Sequence, residues 1–284
     1  MPKHPKKIRK TDVNEDAFNR RHRLELLKAQ LERERASFQY QWRDINDFVR
    51  PRRGRFFVND SNKGDRRNLK IIDSTATFAS KNLAAGMMSG VSSPSRPWFK
   101  MGAFDPADDA RDDGKEWFHI NTSRMKSVLI RSNLYSILPI LYGDMGDFGT
   151  GCMYMDEDVE SIVRFYSFPI GSYMISSNAS GKIDTFVREF QMTVRQVVEM
   201  FARNPENPNE YDWTNVSTQV KSMWDNNHKE NWIIVVHAVI PNENYKEEAL
   251  ESRFKKYVSI YYERGNSGSS NNTGSGYAAQ QIKS

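Results

Sequence analysis

The sequence predicts an α+β protein in which a long N-terminal helix and a helical layer precede a region of short antiparallel strands. Before Cys152, apolar residues recur at intervals of three and four positions, the period of an α-helix. After it, short runs rich in Val, Ile, Tyr and Phe alternate with turn residues, which is typical of strands. We therefore expect a mainly helical part at 13–150 and an α+β part at 151–264.

The first element is a helix predicted over residues 14–49. One face carries apolar side chains at spacings of 3, 4, 7, 4, 3 and 4, namely Leu24, Leu27, Leu31, Phe38, Trp42, Ile45 and Val49. Pro51 ends the helix, because proline disfavours the helical conformation in the residue before it. At 1.5 Å per residue the helix would be about 54 Å long. Such a length favours a subunit of an assembly over an isolated compact domain.

Both ends of the chain lack the residues of a core. Residues 1–12 are rich in Lys and Pro and are expected to form a disordered basic arm. Residues 265–276 contain only Gly, Ser, Asn and Thr, which is typical of a flexible linker, and eight residues follow them. A linker with so little after it favours a truncated chain, with 265–284 as the linker and truncated end.

A second helix, predicted over 74–91, combines small and apolar residues. Asp73 or Ser74 can cap its N-terminus. Its small residues would let another backbone approach closely: Ala76, Ala79, Ala84, Ala85, Gly86, Ser89 and Gly90. Its apolar residues predict that it is buried: Phe78, Leu83, Met87, Met88 and Val91. Prolines end it, and Trp98 and Phe99 follow as an aromatic anchor.

The later elements are predicted from shorter patterns. A helix is predicted after the acidic residues 105–113, and another around 138–145. Thr193 is predicted to cap a helix that runs to about 202, and a further helix is predicted at 216–224. Residues 149–151 form a turn, since they lack the Lys and the spacing of a P-loop. Strands are predicted at 153–155, 162–168, 173–176, 183–191, 232–240 and 257–262, with a hairpin turn at 178–181.

Composition excludes several classes of protein. No apolar run reaches the ~18 residues that a membrane helix needs, and the basic N-terminus has no apolar stretch behind it, unlike a signal peptide. The single cysteine, Cys152, excludes an intramolecular disulfide and a Cys-rich zinc site. Synthesis in a reducing compartment fits best.

Positive charge is concentrated in the first quarter of the chain. Residues 1–70 hold 20 Lys and Arg against 10 Asp and Glu, a net +10, whereas the rest hold 21 against 26, a net −5. Within this segment the candidate basic contact surface is Arg50, Arg52, Arg53, Arg55, Arg66 and Arg67. One interpretation is contact with phosphates. The other is a solvated connector or a patch paired with an acidic neighbour, and it is favoured because no stacking or base-reading motif accompanies the charge.

The sequence shows no recognisable motif of a catalytic or metal site. The five His are scattered, and no motif of a protease, hydrolase or dinucleotide-binding enzyme is present. Cys152 would be a nucleophile only with His119 or His237 beside it, and a small buried residue at a strand start is favoured. The five Asp of 105–113 lack the glycine and spacing of a calcium loop and are expected to begin a helix. We predict no catalytic residues, no metal and no cofactor.

Residues Asp73–Met101 resemble the signature of the head-to-tail connecting (portal) proteins of podovirus-type phages. The matching positions are Asp73, Ser74, Thr75, Leu83, Gly86, Met88, Gly90, Pro94, Arg96, Pro97, Trp98 and Phe99. Weaker matches are 48–52, at the end of the long helix, 146–151 and 257–264. The resemblance covers nearly all of this chain but only about the first half of the family pattern, the wing region.

The resemblance implies a structural role. Family members form a homo-oligomeric ring of about 12 subunits at one capsid vertex. Double-stranded DNA is packaged through the ring by a separate terminase motor and is ejected through the ring on infection. The implied partners are major capsid and scaffold proteins, terminase, tail proteins and the DNA, with no membrane. The implied location is the virion, after synthesis in the host cytoplasm. The signature residues would then pack inside the subunit or between subunits.

Two other hypotheses remain open at this point. One is a stand-alone DNA-binding protein that uses residues 1–70. The other is an enzyme built on Cys152 or on the Asp cluster. In the portal hypothesis we expect residues 1–70 at the periphery of the ring, because a net charge of +10 on the channel wall would retard DNA through phosphate contacts.

Overall fold

A computed structural model describes residues 10–58, 66–103, 112–204, 207, 210–248 and 254–264. The chain divides into two compact units. Unit 1 comprises the described residues within Met1–Phe38, Phe57–Ser61 and Ser172–Ser284, and unit 2 those within Gln39–Phe56 and Asn62–Gly171. Most of the expected basic arm and all of the expected linker region, 265–284, lie outside the described residues.

The long N-terminal helix is present as α1, Lys10–Phe48. It begins four residues before the predicted start, so the prediction of disorder is wrong for residues 10–12. An apolar face is not needed there, because lengthening an existing helix costs much less than starting one. Leu24 and Leu31 are buried as predicted, but Phe38 is exposed. Within unit 1, Leu24 and Leu31 join the main hydrophobic core.

Unit 1 is built on a four-stranded antiparallel sheet. Its strands are β3 (Tyr173–Ser177), β4 (Ile183–Thr193), β5 (Trp232–Pro241) and β6 (Tyr257–Glu263), in the order β3-β4-β5-β6. Successive strand residues point to opposite faces. Because Val235 and Val236 of β5 are both fully buried, both faces of the sheet are covered at its centre.

Short helices of unit 1 follow β4. Thr193 caps α5 (Val194–Val197), as the sequence predicts, and the structure adds a reciprocal hydrogen bond from the Gln196 side chain, which completes a capping box. A π-helical turn, Val198–Ala202, continues α5, and a 3₁₀ turn, Trp213–Asn215, precedes α6 (Thr218–Asp225). Val194, Val197, Val198 and Val220 are completely buried in the same core as the sheet residues.

Unit 2 combines helices with a β-hairpin. The helices are α2 (Thr75–Val91), α3 (Asp112–Arg131) and α4 (Leu134–Phe148), and the hairpin pairs β1 (Cys152–Asp158) with β2 (Ile162–Phe168). Gly149 ends α4 with a φ of 74°, a left-handed conformation that suits glycine. The small core contains Ala84, Leu134, Leu138, Tyr142 and Phe165. Both predicted kinds of element are thus present, and the chain is α+β.

Candidate functional site

The signature region, Asp73–Met101, begins with a carboxylate that fixes the start of α2. The side chain of Asp73 accepts hydrogen bonds from the Thr75 hydroxyl and from the backbone N–H groups of Thr75 and Ser74, and these bonds lower the pKa of Asp73. Ser74 is the N-cap residue by position, but its side chain makes no capping bond. Of the two predicted caps, Asp73 is therefore the one whose side chain satisfies the first amides.

One side of α2 packs tightly on α4. The hydroxyl of Ser80 donates to Asp147 Oδ2 at 2.6 Å, and Ala84 joins Leu138 and Tyr142 in the core of unit 2. A Cβ on Gly146 would overlap the side chain of Leu83. Gly146 therefore lets α2 and α4 approach closely. This close packing fixes α2 in place.

Two arginines of the candidate basic contact surface, Arg50 and Arg53, are paired with the acidic side chains of α4. Arg53 donates to both carboxylate oxygens of Asp144, from Nε at 2.8 Å to Oδ1 and from Nη2 at 2.5 Å to Oδ2. Arg50 Nη1 lies 3.2 Å from Asp144 Oδ1 and 3.4 Å from Asp147 Oδ2. Asp144 is only 1% exposed, and a buried carboxylate without such partners would be strongly destabilising.

This ion-pair cluster, Arg50, Arg53, Asp144 and Asp147, also connects α4 with the hairpin. Arg53 Nη2 donates to Ser167 Oγ at 2.5 Å and to the Phe168 carbonyl at 3.1 Å. A Cβ on residue 143 would overlap the guanidinium of Arg50, so Gly143 leaves room for that side chain. For Arg50 and Arg53, this pairing agrees with the second interpretation of the basic segment, in which the positive charges face acidic neighbours.

The other four arginines of the predicted contact surface have different surroundings. Arg52, Arg55 and Arg66 are exposed, and Arg67 is half-buried. The six arginines therefore do not form one basic surface. Of the six, the exposed three are the residues that a partner could reach directly.

Two side chains of the signature region, Ser92 and Arg96, make hydrogen bonds at the C-terminal end of α2. The hydroxyl of Ser92 lies 2.7 Å from that of Tyr142, in the interior of unit 2. Arg96 Nη2 donates to the Ser89 carbonyl at 2.8 Å. A cation beside the last carbonyls of a helix satisfies an acceptor and favours the helix dipole.

Trp98 and Phe99 fix the following segment to α3 and α4. Trp98 Nε1 donates to the Tyr135 hydroxyl at 3.1 Å, and the rings of Trp98 and Phe99 meet edge to face with centroids 4.8 Å apart. The Met101 amide donates to Thr122 Oγ1 at 3.1 Å. These contacts explain how an extended segment holds its place although the Trp98 side chain remains exposed.

The outer side of α2, with Phe78, Gly86 and Gly90, is exposed, and the prediction that the apolar residues of α2 are buried is wrong for three of them in the single chain. Phe78 is 59% exposed, Val91 at the end of the helix is 60% exposed, and Leu83 is 46% exposed although it also meets Gly146 of α4. Gly86 and Gly90 face open space, since a Cβ at either position would meet no atom within 4 Å. The prediction rests on side-chain character alone, which does not distinguish a core from a surface that another molecule covers.

A groove runs beside this helix within unit 2. Its volume is about 790 Å³, and its lining includes Pro51, Ala85, Met88, Pro94 and Ile140. The exposed side chains of Arg52 and Lys81 also line it. The groove and the outer side of α2 together form the candidate assembly surface.

The residues considered for catalysis have other surroundings. Cys152 is half-buried at the start of β1. His237 lies inside the sheet of unit 1, where burial and the nearby Arg188 lower its pKa to about 3, so its imidazole is neutral. Asp112 and Asp113 begin α3, while the other three Asp of the predicted cluster lie outside the described residues.

The described part of the chain offers neither a metal cluster nor a membrane span. It contains no group of three or more His, Cys, Asp or Glu side chains arranged to hold a metal ion. Its helices include none that is both long enough and apolar enough to span a bilayer.

Sequence reasoning misses the acidic half of the ion-pair cluster, Asp144 and Asp147. The signal that could have found these partners of the basic loop is their position. They are the acidic residues of the otherwise apolar helix α4 and lie three residues apart, on one side of it. A carboxylate on a buried helix requires a cation nearby.

Comparison with known proteins identifies the family. The model of the family "Bacteriophage head to tail connecting protein" matches residues 21–280. The chain is 43% identical over 251 residues to the portal protein of Salmonella phage epsilon15, covering 88% of this chain and 43% of that protein. It is 36% identical over 236 residues to a probable portal protein of Bordetella phage BPP-1, covering 83% of this chain and 41% of that protein. The chain thus spans less than half the length of these relatives, and it belongs to the bacteriophage head to tail connecting protein family.

Proposed function

We propose that the chain is the wing part of a portal subunit, and that copies of the subunit close into a ring of about 12 at one capsid vertex. Double-stranded DNA would enter the head and leave it through this ring. The role is structural, with no catalytic step in the chain itself. Family membership supports the proposal, and the exposed outer side of α2, with Phe78, Gly86 and Gly90, is the structural observation that carries it.

The glycines of α2 support contact with another copy. A glycine inside a helix costs about 0.8–1 kcal/mol relative to alanine. Gly86 and Gly90 adopt no left-handed conformation and touch nothing that a Cβ would displace. Neither the backbone conformation nor packing inside the chain requires glycine at positions 86 and 90. We therefore propose that these glycines make room for the close approach of another subunit.

A ring contact joins two different surfaces of the same subunit, so the surfaces must be held in fixed orientation. The hydrogen bond from Ser80 to Asp147 and the close packing of Leu83 on Gly146 fix α2 on α4. We assign two roles to the signature residues of α2. The inner ones pack α2 on α4, and the outer ones meet the neighbouring subunit.

The remaining partners follow from the same proposal. We place the exposed arginines that lie outside the groove, Arg55 and Arg66, at the periphery of the ring, towards capsid or scaffold proteins. Tail proteins and terminase would bind the assembled connector. The site of action is the virion, after assembly in the host cytoplasm.

The DNA-binding alternative gains no support from the site. It relied on the arginines of the basic segment, and Arg50 and Arg53 have carboxylate partners within the chain. Phosphate binding by these two side chains would leave Asp144 buried and unpaired, at a cost of several kcal/mol.

The test is a bulky substitution on the outer side of α2. We expect Gly86→Phe and Gly90→Phe to reduce self-association in sedimentation velocity experiments while circular dichroism stays unchanged, because both positions face open space in the single chain. Gly86→Ala is the matched control, since a methyl group adds little volume. Unchanged assembly of both Phe variants would overturn the assignment of this surface.

A further inference from the structure

We propose that the tip of the β1–β2 hairpin of one copy docks into a basic, aromatic pocket of a second copy. The proposal rests on the proposed ring and names a pair of surfaces for it. Both features belong to unit 2, so each copy would present a tip to one neighbour and a pocket to the other. A head-to-tail contact of this kind is what closes a ring.

The pocket, here the Trp98 pocket, lies between the end of the signature region and α3. It has a volume of about 440 Å³. Pro97, Trp98 and Phe99 form one side, and α3 forms the other with residues at helical spacing, from Lys115 through Phe118 and Thr122 to Lys126. The described lining also includes Lys100 and His119 but no Asp or Glu.

The character of the lining defines what would fit. Three aromatic rings offer an apolar surface, and three lysines surround it. The ammonium of Lys126 lies 5.9 Å from the ring centre of Phe99, so charge and apolar surface are adjacent. Lys100 is exposed at the edge of the pocket. The complementary ligand is an apolar side chain flanked by carboxylates.

The hairpin tip has this composition. Residues 156–160 read Asp-Glu-Asp-Val-Glu, with four carboxylates around one apolar side chain. Val159 is 104% exposed, so nothing in its own chain covers it. Asp156, Glu157 and Glu160 make no ion pair within the described residues, which leaves their charge available to a partner.

The tip is also held in a fixed conformation. Asp158 Oδ2 accepts from the Ser161 hydroxyl at 2.6 Å and from the Ser161 amide at 3.0 Å. At its other end the hairpin is fixed to α4, because Asn133 exchanges two hydrogen bonds of 2.7 Å with the backbone of Phe165. A preorganised tip loses little entropy when it docks.

A second copy is the occupant that charge favours. A pocket lined by lysines repels a basic partner and attracts an acidic one, and the tip is a described acidic segment of this chain that carries an uncovered apolar residue at its centre. Double-stranded DNA is the competing anion, but a rigid duplex presents phosphates and no apolar side chain for the aromatic wall.

The first test is disulfide cross-linking between two variants of the full chain, both carrying Cys152→Ser. One also carries Val159→Cys in the tip, and the other His119→Cys in the pocket. We expect a cross-linked heterodimer on mixing under mild oxidation. Arg124→Cys is the matched control, because Arg124 is exposed on α3 but does not line the pocket; equal cross-linking to Arg124→Cys would overturn the proposal.

The second test exchanges the charges. Lys100→Glu with Lys126→Glu, and separately Asp156→Lys with Glu160→Lys, should each weaken self-association about tenfold or more, because attraction becomes repulsion. All four substitutions in one chain should restore it, which also shows that the variants fold. If the wild type assembles and neither pair of substitutions matters, this proposal fails while the ring stands.

Two other outcomes also decide the matter. If the pocket variant loses affinity for a fluorescent 30-base-pair duplex, measured by anisotropy, and self-association is unchanged, the pocket is a DNA contact and the proposal is overturned. If the wild type neither self-associates nor cross-links at any concentration, the proposed ring fails together with the docking.

Discussion

Arg52 and Arg53 are neighbours in the sequence, yet their side chains have opposite surroundings. Arg52 is exposed, whereas Arg53 forms a two-point contact with the buried carboxylate of Asp144. Charge counting treats the two residues alike. The difference comes from α4, whose buried Asp144 requires a cation that only a residue at the right place in the loop can supply.

The contrast gives a stability prediction. Arg53→Ala leaves Asp144 buried without its main partner and should lower the free energy of unfolding by about 3–5 kcal/mol. Arg52→Ala is the matched control and should change it by less than about 0.5 kcal/mol. Urea denaturation of both variants measures the difference, and equal effects would show that the ion-pair cluster does not stabilise unit 2.

His237 gives a prediction for pH. Its Nδ1 accepts from Arg188 Nε at 3.2 Å, its Nε2 lies 2.9 Å from Ser259 Oγ, and its ring stacks on Tyr261 with centroids 4.0 Å apart. Burial and Arg188 lower its pKa to about 3. The unfolded chain, with a pKa near 6.5, therefore binds a proton between about pH 6.5 and 3 that the folded chain does not.

Stability attributable to His237 should accordingly fall as the pH decreases below about 6.5, by at most about 1.4 kcal/mol per pH unit. Thermal unfolding between pH 7 and pH 4 tests this. His237→Gln should reduce the slope, whereas His228→Ala, at an exposed position, should leave it unchanged. The same slope in the wild type and in His237→Gln would contradict the assignment.

At the scale of elements, the packing of α2 on α4 involves two kinds of glycine. Gly86 in α2 faces open space, but Gly146 in α4 lies directly against Leu83 of α2. Alanine should therefore stabilise the two positions unequally. Gly86→Ala should raise the free energy of unfolding by up to about 1 kcal/mol, and Gly146→Ala should raise it less or lower it, because the Leu83 side chain must move away from the new methyl group. Urea denaturation of the two variants tests this, and a larger gain from Gly146→Ala than from Gly86→Ala would contradict the packing described.

The elements were largely predictable from the sequence. Helical spacing locates α1, the turn residues 178–181 locate the hairpin between β3 and β4, and Thr193 locates the start of α5. Two features were not predictable. The outer face of α2 has the composition of a buried helix, and its exposure depends on which elements pack nearby. The pairing of Arg50 and Arg53 with α4 depends on a contact more than ninety positions away in the chain.

The Trp98 pocket could be recognised only in part. The sequence marks Trp98 and Phe99 as an aromatic anchor but gives no reason to associate them with α3. The association comes from packing, which places Lys100 in one pocket with Lys115 and Lys126. Local patterns thus identify one wall of a site, while the opposite wall depends on tertiary structure.

At the scale of the whole molecule, the chain combines rigid internal packing with uncovered apolar residues. In unit 2 these include Phe78, Val91 and Val159. A protein that acts alone gains nothing from such exposure, which favours non-specific association. A subunit that acts in a closed ring needs complementary surfaces of this kind. Self-association is therefore the central claim.

The most direct measurement is the native mass of the purified chain over a wide range of protein concentration and at low and high salt. We expect a discrete closed oligomer of about a dozen copies, with high salt favouring smaller species because charged groups contribute to the contact. A monomer under all of these conditions would contradict the claim that this part of the family pattern carries a ring interface.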